Sequence, residues 1–193
     1  MSVSAPQRAV LRDIDRFQLR LGEPDDLTVL GEIDADAGAL FEQAGLFLDL
    51  PDDHEFPAAE RRRWRECLAA RTTLVMVDRE SGPIGFAALG RRDGEHYLAQ
   101  LSVRLRFMRL GLGGALLEAA GELLKARGAR ALWLTTYNHL PWNRPFYEQH
   151  GFTVMAESDC GPELLQEHAI ERRWLPMPQE RVLMRRKLGA FAA

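Results

Sequence analysis

The residues best suited to chemistry follow a short apolar stretch and end in a cluster of glycines. Residues 97–103 have the apolar character of a strand, and Gly111, Gly113 and Gly114 lie where the next helix begins. The first amides of a helix have no partner inside it, so they donate outward with the positive end of the helix dipole behind them. Glycine allows a phosphate to approach the backbone closely. The sequence therefore predicts an anion-binding cradle at this junction.

Two common nucleotide-binding motifs do not fit this cradle. A Walker A loop needs a Lys and then a Ser or Thr after its last glycine, whereas Ala115 and Leu116 follow Gly114. A dinucleotide-binding fingerprint needs a glycine three residues after Gly113, and that position holds Leu116. Neither motif therefore identifies the anion.

Two segments of the chain resemble the GNAT N-acetyltransferase superfamily. Residues 108–113 are similar to its acyl-coenzyme A signature, Gln/Arg-x-x-Gly-x-Gly/Ala after a strand that ends in Val, except that Met108 stands at the Gln/Arg position. Residues 142–152 are similar to its late helix, Asn-x-x-Phe-Tyr-x-x-x-Gly-Phe, and residues 140–147 resemble a subgroup of small bacterial, RimI-like members. The resemblance implies an α/β protein with the GNAT fold: a mixed, mostly antiparallel sheet with a parallel central strand pair, flanked by helices.

The same resemblance implies direct transfer of an acetyl group from acetyl-coenzyme A to a primary amine, either a small amine or a peptide α-amine. In the superfamily, main-chain amides of the glycine loop bind the pyrophosphate, and the pantetheine arm pairs with the central strand where it separates from its parallel neighbour. A main-chain amide near Val103 would polarise the thioester carbonyl. The residues expected to bind the cofactor are Leu101, Ser102, Val103, Met108, Arg109, Leu110, Gly111, Leu112, Gly113, Gly114, Ala115, Asn143, Phe146 and Tyr147.

Tyr147 matches the superfamily tyrosine that protonates the departing sulfur. A phenol with a pKa near 10 stays protonated at neutral pH and can donate to a thiolate whose thiol has a pKa of about 8 to 9. Structural roles stay open for two of these residues. Tyr147 could be a core aromatic beside Phe146, and Asn143 could be a helix N-cap.

The general base is less clear, because many relatives carry a Glu on the central strand where this chain has Ala99 and Gln100. At pH 7 a lysine amine is about 0.04% neutral and an α-amine about 10% neutral, so an α-amine could react with help from an ordered water alone. The remaining candidates are Glu32, Asp34, Asp36, Glu42, Glu95, His96 and His139. Of these we favour Asp36 and Glu42, which lie on the first predicted helix, and His139.

Other functions remain open on the sequence alone. Because Ala99 and Met108 depart from the superfamily pattern, the chain could instead be a non-catalytic acyl-coenzyme A-binding or sensor protein with the same fold. A third alternative is an acyltransferase that transfers a longer acyl group. The acidic segment 49–55, together with Asp34 and Asp36, either attracts a cationic amine or is simply solvated. Nothing beside Cys160 would lower the pKa of its thiol, which argues against an acyl-carrying nucleophile.

Alternation and helical spacing predict the elements that would hold these residues. The strands are expected at 17–21, 72–77, 84–89, 95–103, 131–136, 152–156 and 182–187. A first helix is expected to start at the turn over residues 24–26 and to end at Gly45. Four more helices are expected at 57–70, 110–126, 143–149 and 162–173. The helix at 110–126 is expected to bury Leu112, Leu116, Ala119, Leu123 and Ala126. The helix at 57–70 is expected to present Arg61, Arg62, Arg63 and Arg65 on a basic outer face.

Composition favours a cytoplasmic globular protein. A net charge of −3 gives no indication of a nucleic-acid surface, and 46% apolar with 27% charged residues is ordinary for such a protein. There is no metal-ligand spacing, and Cys67 and Cys160 form no disulfide framework. No apolar run of about 18 residues predicts a membrane span. We expect a polar extension over residues 1–15 and a single domain over residues 16–193; a homodimer is suggested only by analogy with relatives.

Overall fold

The computed structural model describes residues 16–48, 50–51 and 53–189. Within these residues seven strands form one sheet in the order β1-β2-β3-β4-β5-β7-β6. The strands are β1 (Phe17–Leu21), β2 (Thr73–Asp78), β3 (Gly82–Arg92), β4 (Glu95–Val103), β5 (Ala131–Tyr137), β6 (Thr153–Met155) and β7 (Arg181–Lys187). The helices are α1 (Leu27–Gln43), α2 (Glu55–Ala69), α3 (Leu112–Ala126), α4 (Arg144–Gln149) and α5 (Pro162–Trp174).

The sheet is mixed and mostly antiparallel, and the predicted GNAT-type architecture is confirmed. β4 and β5 are the parallel pair of the described sheet, because α3 carries the chain from one to the other. β1 and β4 have the predicted bounds, and α1 ends before Gly45, whose φ of +78° is in the left-handed region. The predicted extension, residues 1–15, lies outside the described residues. None of the helices that are described is long and apolar enough to cross a membrane.

Helices pack on both faces of this sheet. α3 covers one face, where Leu116 and Leu124 belong to the same buried cluster as Ile84 of β3. α1 and α2 cover the other face, where Ile33 and Trp64 pack in a second cluster. α5 lies between β6 and β7 in the chain and buries Leu164 in a third cluster with Tyr97 of β4 and Trp133 of β5.

Two predicted faces need correction. α3 begins at Leu112 rather than at residue 110, and its buried side is rotated, because the helix presents Leu117, Ala120, Gly121 and Leu124 beside Leu112 and Leu116. Ala119 and Leu123 are only partly buried and Ala126 is exposed. On α2, which begins at Glu55, Arg63 is not on the outer face. Its guanidinium pairs with Glu60 at 2.7 Å and with Glu167 of α5 at 2.9 Å.

The parallel strands separate soon after they meet. β4 and β5 are paired at His96–Leu132 and Tyr97–Trp133 only. The pairing of β4 with β3 shifts between Leu98 and Gln100, which leaves Ala99 as a bulge. Beyond this point the edge of β4 that faces β5 has no strand partner in the described sheet, so its backbone groups are open to another molecule.

Candidate functional site

A cleft of about 2040 Å³ lies at the separation of β4 and β5. The ends of both strands form its floor, and residues of α1, α2, α3, α4 and α5 form its walls. The glycine-rich segment and the late helix, which lie about 30 residues apart in the sequence, meet in this cleft.

The glycine-rich segment presents a row of backbone donors to the cleft. The first backbone hydrogen bond of α3 runs from the Ala115 N–H to the Gly111 carbonyl, at 3.0 Å. Before it, none of the amides of residues 109–114 donates to a backbone carbonyl of the described chain. Arg109 and Gly111 have φ values of +62° and +82°, which turn the chain sharply before the helix. These free amides have the geometry expected of the predicted anion-binding cradle, and anion binding itself stays a prediction.

The late helix α4 packs directly against this cradle. A Cβ on Gly114 would lie 2.9 Å from Cε1 of His150, so only glycine allows this approach. The Phe146 ring lies 4.7 Å from the His150 ring and faces Gly113. The second glycine of the pair therefore serves the packing of α4.

The structure brings together nearly all the residues expected to bind a cofactor. Leu110 is the exception: its side chain is exposed, and it is not part of the wall. The others all line the cleft: Leu101, Ser102, Val103, Met108, Arg109, Gly111, Leu112, Gly113, Gly114, Ala115, Asn143, Phe146 and Tyr147.

Tyr147 and Asn143 lie one helical turn apart beside the cradle. The Tyr147 ring packs against Phe146 and Phe152, with ring centroids 5.2 Å and 5.6 Å away. Burial raises the pKa of the Tyr147 phenol above its ordinary value, so this group is protonated at neutral pH. The Asn143 side chain makes no capping hydrogen bond at the start of α4, although its carbonyl accepts the Tyr147 N–H at 3.0 Å. The structure therefore gives no support to the N-cap alternative for that side chain.

The three favoured bases are placed very differently. Asp36 accepts the Leu105 N–H at 2.6 Å and is not in the cleft wall, so it caps the turn after β4. His139 is exposed, lies outside the wall and has its Nδ1 3.5 Å from Glu180. Glu42 is in the wall and is exposed to solvent. Of the three, only Glu42 shares the cleft with Tyr147.

Asp34 is one of the candidate bases from the sequence, although it is not among the three favoured ones. It lies in the cleft wall, and its Oδ1 accepts hydrogen bonds from Gln100 Nε2 at 2.6 Å and Ser102 Oγ at 2.7 Å. Burial raises the pKa of the Asp34 carboxyl above its ordinary value, while these two hydrogen bonds act in the opposite direction. The signal was present in the sequence: Asp34 follows Leu30 by four residues, which places it on the buried stripe of α1.

Ion pairs of α2 and α5 lie at the cleft wall or next to it. Glu60 and Glu167 both contact Arg63, and Arg92 reaches Glu167 at 2.6 Å. Across the cleft, Glu171 of α5 pairs with Arg181 and also accepts a hydrogen bond from the Thr135 hydroxyl. Burial, opposed by Arg63 and reinforced by nearby carboxylates, raises the pKa of Glu60 to about 7.

Comparison with known proteins gives a family match and several structural neighbours. The model of the acetyltransferase (GNAT) family matches residues 41–152, more than half of the chain. The PaiA N-acetyltransferase from Thermoplasma acidophilum, solved with coenzyme A, is 18% identical with a TM-score of 0.59, over 89% of this chain and 98% of that one. The ribosomal-protein-S18-alanine N-acetyltransferase from Escherichia coli is 18% identical with a TM-score of 0.60, over 92% and 96%.

The N-acetylglutamate synthase from Neisseria gonorrhoeae, solved with coenzyme A and N-acetyl-glutamate, is a larger protein. It is 18% identical with a TM-score of 0.61 over 90% of this chain, which spans only 35% of the synthase. At these identities the solved structures show a shared fold.

Proposed function

This chain belongs to the GNAT acetyltransferase family, and on that premise we propose that it transfers an acetyl group from acetyl-coenzyme A to a primary amine. One observation carries the proposal: the free amides of Arg109 and of residues 111–114 line the same cleft as the unpaired edge of β4. The first can bind the phosphates of a coenzyme, and the second can pair with the amides of its arm.

The residues present fit acetyl-coenzyme A. The five free amides of Arg109 and of residues 111–114 offer more donors than one phosphate oxygen needs, and the Arg109 side chain adds a positive charge beside them. Met108 supplies no side-chain donor at the Gln/Arg position of the signature, so here the backbone must hold the pyrophosphate. The bound coenzyme supplies an activated acetyl thioester. Residues 101–103 would bind its arm, and the main chain near Val103 would polarise the carbonyl.

Tyr147 is the proposed general acid. Its phenol is protonated, lies in the cleft beside the cradle and is fixed by packing against Phe146 and Phe152. Its role is to hold a proton at Oη for the sulfur that departs from the acetyl group. Asn143, one turn earlier, would bind the arm through its side-chain amide.

The acceptor is proposed to be a small amine or a peptide α-amine, as in RimI-like members. The sequence of residues 140–147 supports this choice, and the name of the Escherichia coli neighbour specifies an alanine of a ribosomal protein. We also propose that residues 16–193 form the catalytic domain. The free thiols of Cys67 and Cys160 suit a reducing cytoplasm.

Thermal unfolding with acetyl-coenzyme A, with ATP as the phosphate control, tests the cofactor assignment. A ligand at 100 times its Kd should stabilise the fold by about 2.7 kcal/mol. A shift with acetyl-coenzyme A and none with ATP supports the assignment, and no shift with either refutes it. Turnover is then measured with a panel of amines. Binding without any turnover would instead favour the non-catalytic acyl-coenzyme A sensor.

A further inference from the structure

We propose that Asp34 binds the ammonium group of the acceptor and accepts its proton. This inference rests on the proposed function and adds to it the residue that makes the amine reactive. Asp34 is on α1, whereas the superfamily carboxylate expected from the sequence would be on the central strand, where Ala99 and Gln100 stand.

The position of Asp34 is fixed from β4. Gln100 and Ser102 both donate to Oδ1, and Gln100 Nε2 also lies 3.0 Å from Ser102 Oγ. No described residue donates a hydrogen bond to Oδ2, so this oxygen is left for a ligand in the cleft. Two polar residues of the separated strand thus hold the carboxylate beside the edge that would carry the acetyl group.

Asp34 also lacks a counter-ion. The other inward carboxylates each have a guanidinium partner: Glu60 pairs with Arg63, Glu167 with Arg63 and Arg92, and Glu171 with Arg181. No Lys, Arg or His forms an ion pair with Asp34 in the described part of the chain. Asp34 is half-buried, and a half-buried carboxylate without a cation leaves its charge uncompensated, so a ligand ammonium would be favoured there.

The environment also suits Asp34 to act as a base. Burial raises its pKa toward that of an amine, which narrows the energy gap for proton transfer. The charged groups that face it are on α2, where the carboxylate of Glu60 opposes ionisation of Asp34 and is itself paired with Arg63. Asp34 must be ionised to accept a proton, so activity should rise with pH as this carboxyl deprotonates.

The proton balance is complete with Asp34 and Tyr147. One ammonium proton passes to Asp34 Oδ2, and the nitrogen lone pair then forms the bond to the acetyl carbon. The carbon–sulfur bond breaks with its electron pair on sulfur, which takes the Tyr147 proton. The second proton lost by nitrogen returns to Tyr147 through solvent, and Asp34 releases its proton to solvent.

The test is Asp34→Asn, measured with the amine that gives the highest turnover. The asparagine oxygen still accepts from Gln100 and Ser102, so packing is preserved and only the charge and basicity are lost. We expect kcat/KM to fall by about 10²- to 10⁴-fold and the acidic limb of its pH profile to disappear. Thermal stability at pH 8 should not fall, because burial opposes the ionised carboxylate.

Two further variants sharpen the result. Glu32→Gln removes an exposed carboxylate two residues earlier on α1, outside the cleft, and should leave kcat/KM unchanged. Asp34→Asn combined with Gln100→Glu returns a carboxylate to the same hydrogen-bonded group. This double variant should recover part of the activity and again show an acidic limb in the pH profile of kcat/KM.

The outcomes separate this inference from the proposed function. Unchanged kcat/KM and an unchanged pH profile in Asp34→Asn would overturn the role of Asp34 while acetyl transfer stands. A wild-type protein that binds acetyl-coenzyme A and acetylates no amine would overturn both.

Discussion

Glu60→Gln should stabilise the protein at alkaline pH and have almost no effect at acidic pH. The side chain is largely buried on α2, and burial raises its pKa from 4.5 to about 7. The folded state therefore binds this proton more tightly than the unfolded state, and stability falls as the pH rises from 4.5 to about 7. This difference in pKa corresponds to about 3 kcal/mol of unfolding free energy, which the folded state loses when Glu60 is ionised above pH 7. Glutamine carries no such cost, and Arg63 keeps its contact with Glu167.

The measurement is the free energy of unfolding in urea at pH 5, 6, 7 and 8. The difference between Glu60→Gln and wild type should be small at pH 5 and grow to about 3 kcal/mol at pH 8. Glu66→Gln, at an exposed position of the same helix, should show no such trend. A difference that stays constant with pH, or a variant less stable than wild type at pH 8, would refute the reasoning.

Three other variants test the cleft. Tyr147→Phe should lower kcat by about 10²-fold or more while the acetyl-coenzyme A thermal shift persists; loss of that shift would point to a structural role instead. Arg109→Ala should weaken acetyl-coenzyme A binding up to about fivefold at low salt, with the deficit shrinking as salt is added. Gly114→Ala should cost about 1 to 3 kcal/mol of unfolding free energy, because the added methyl group meets the His150 ring. Adding His150→Ala to this variant should recover part of the loss. A Gly114→Ala variant as stable as wild type would contradict this packing.

The resemblance to the GNAT superfamily predicted the fold, and local patterns predicted the elements that build it. An apolar run after a turn predicted β4, and a helix start rich in glycine indicated free amides before α3. The faces of α3 and α2 were less predictable, because each helix could be rotated by a fraction of a turn. Arg63 illustrates this, since its partner Glu167 lies on α5, far along the chain.

Asp34 is among the candidate bases that the sequence offers, but it could not be preferred over Asp36, for a similar reason. Asp34 and Asp36 are two residues apart, so a helix places them on different sides. Only the structure shows that Asp34 meets Gln100 and Ser102 while Asp36 caps the turn at Leu105. The spacing from Leu30 places Asp34 on the buried stripe of α1, but it does not indicate which residues of β4 the carboxylate meets.

The bulge at Ala99, a residue without reactive chemistry, lies where β4 separates from β5 and the cleft opens. Tyr97 packs in the cluster with α5, and Leu98 packs in the cluster with α3. After the bulge, Gln100 and Ser102 face Asp34 of α1, and Leu101 packs on the α3 side. Removing Ala99 would therefore keep every neighbouring side chain on its present face while straightening the strand toward β5. The separation of β4 from β5 therefore depends on the number of residues in β4 rather than on the identity of any one side chain. Insertions and deletions in this strand should change the cleft in a way that substitutions do not.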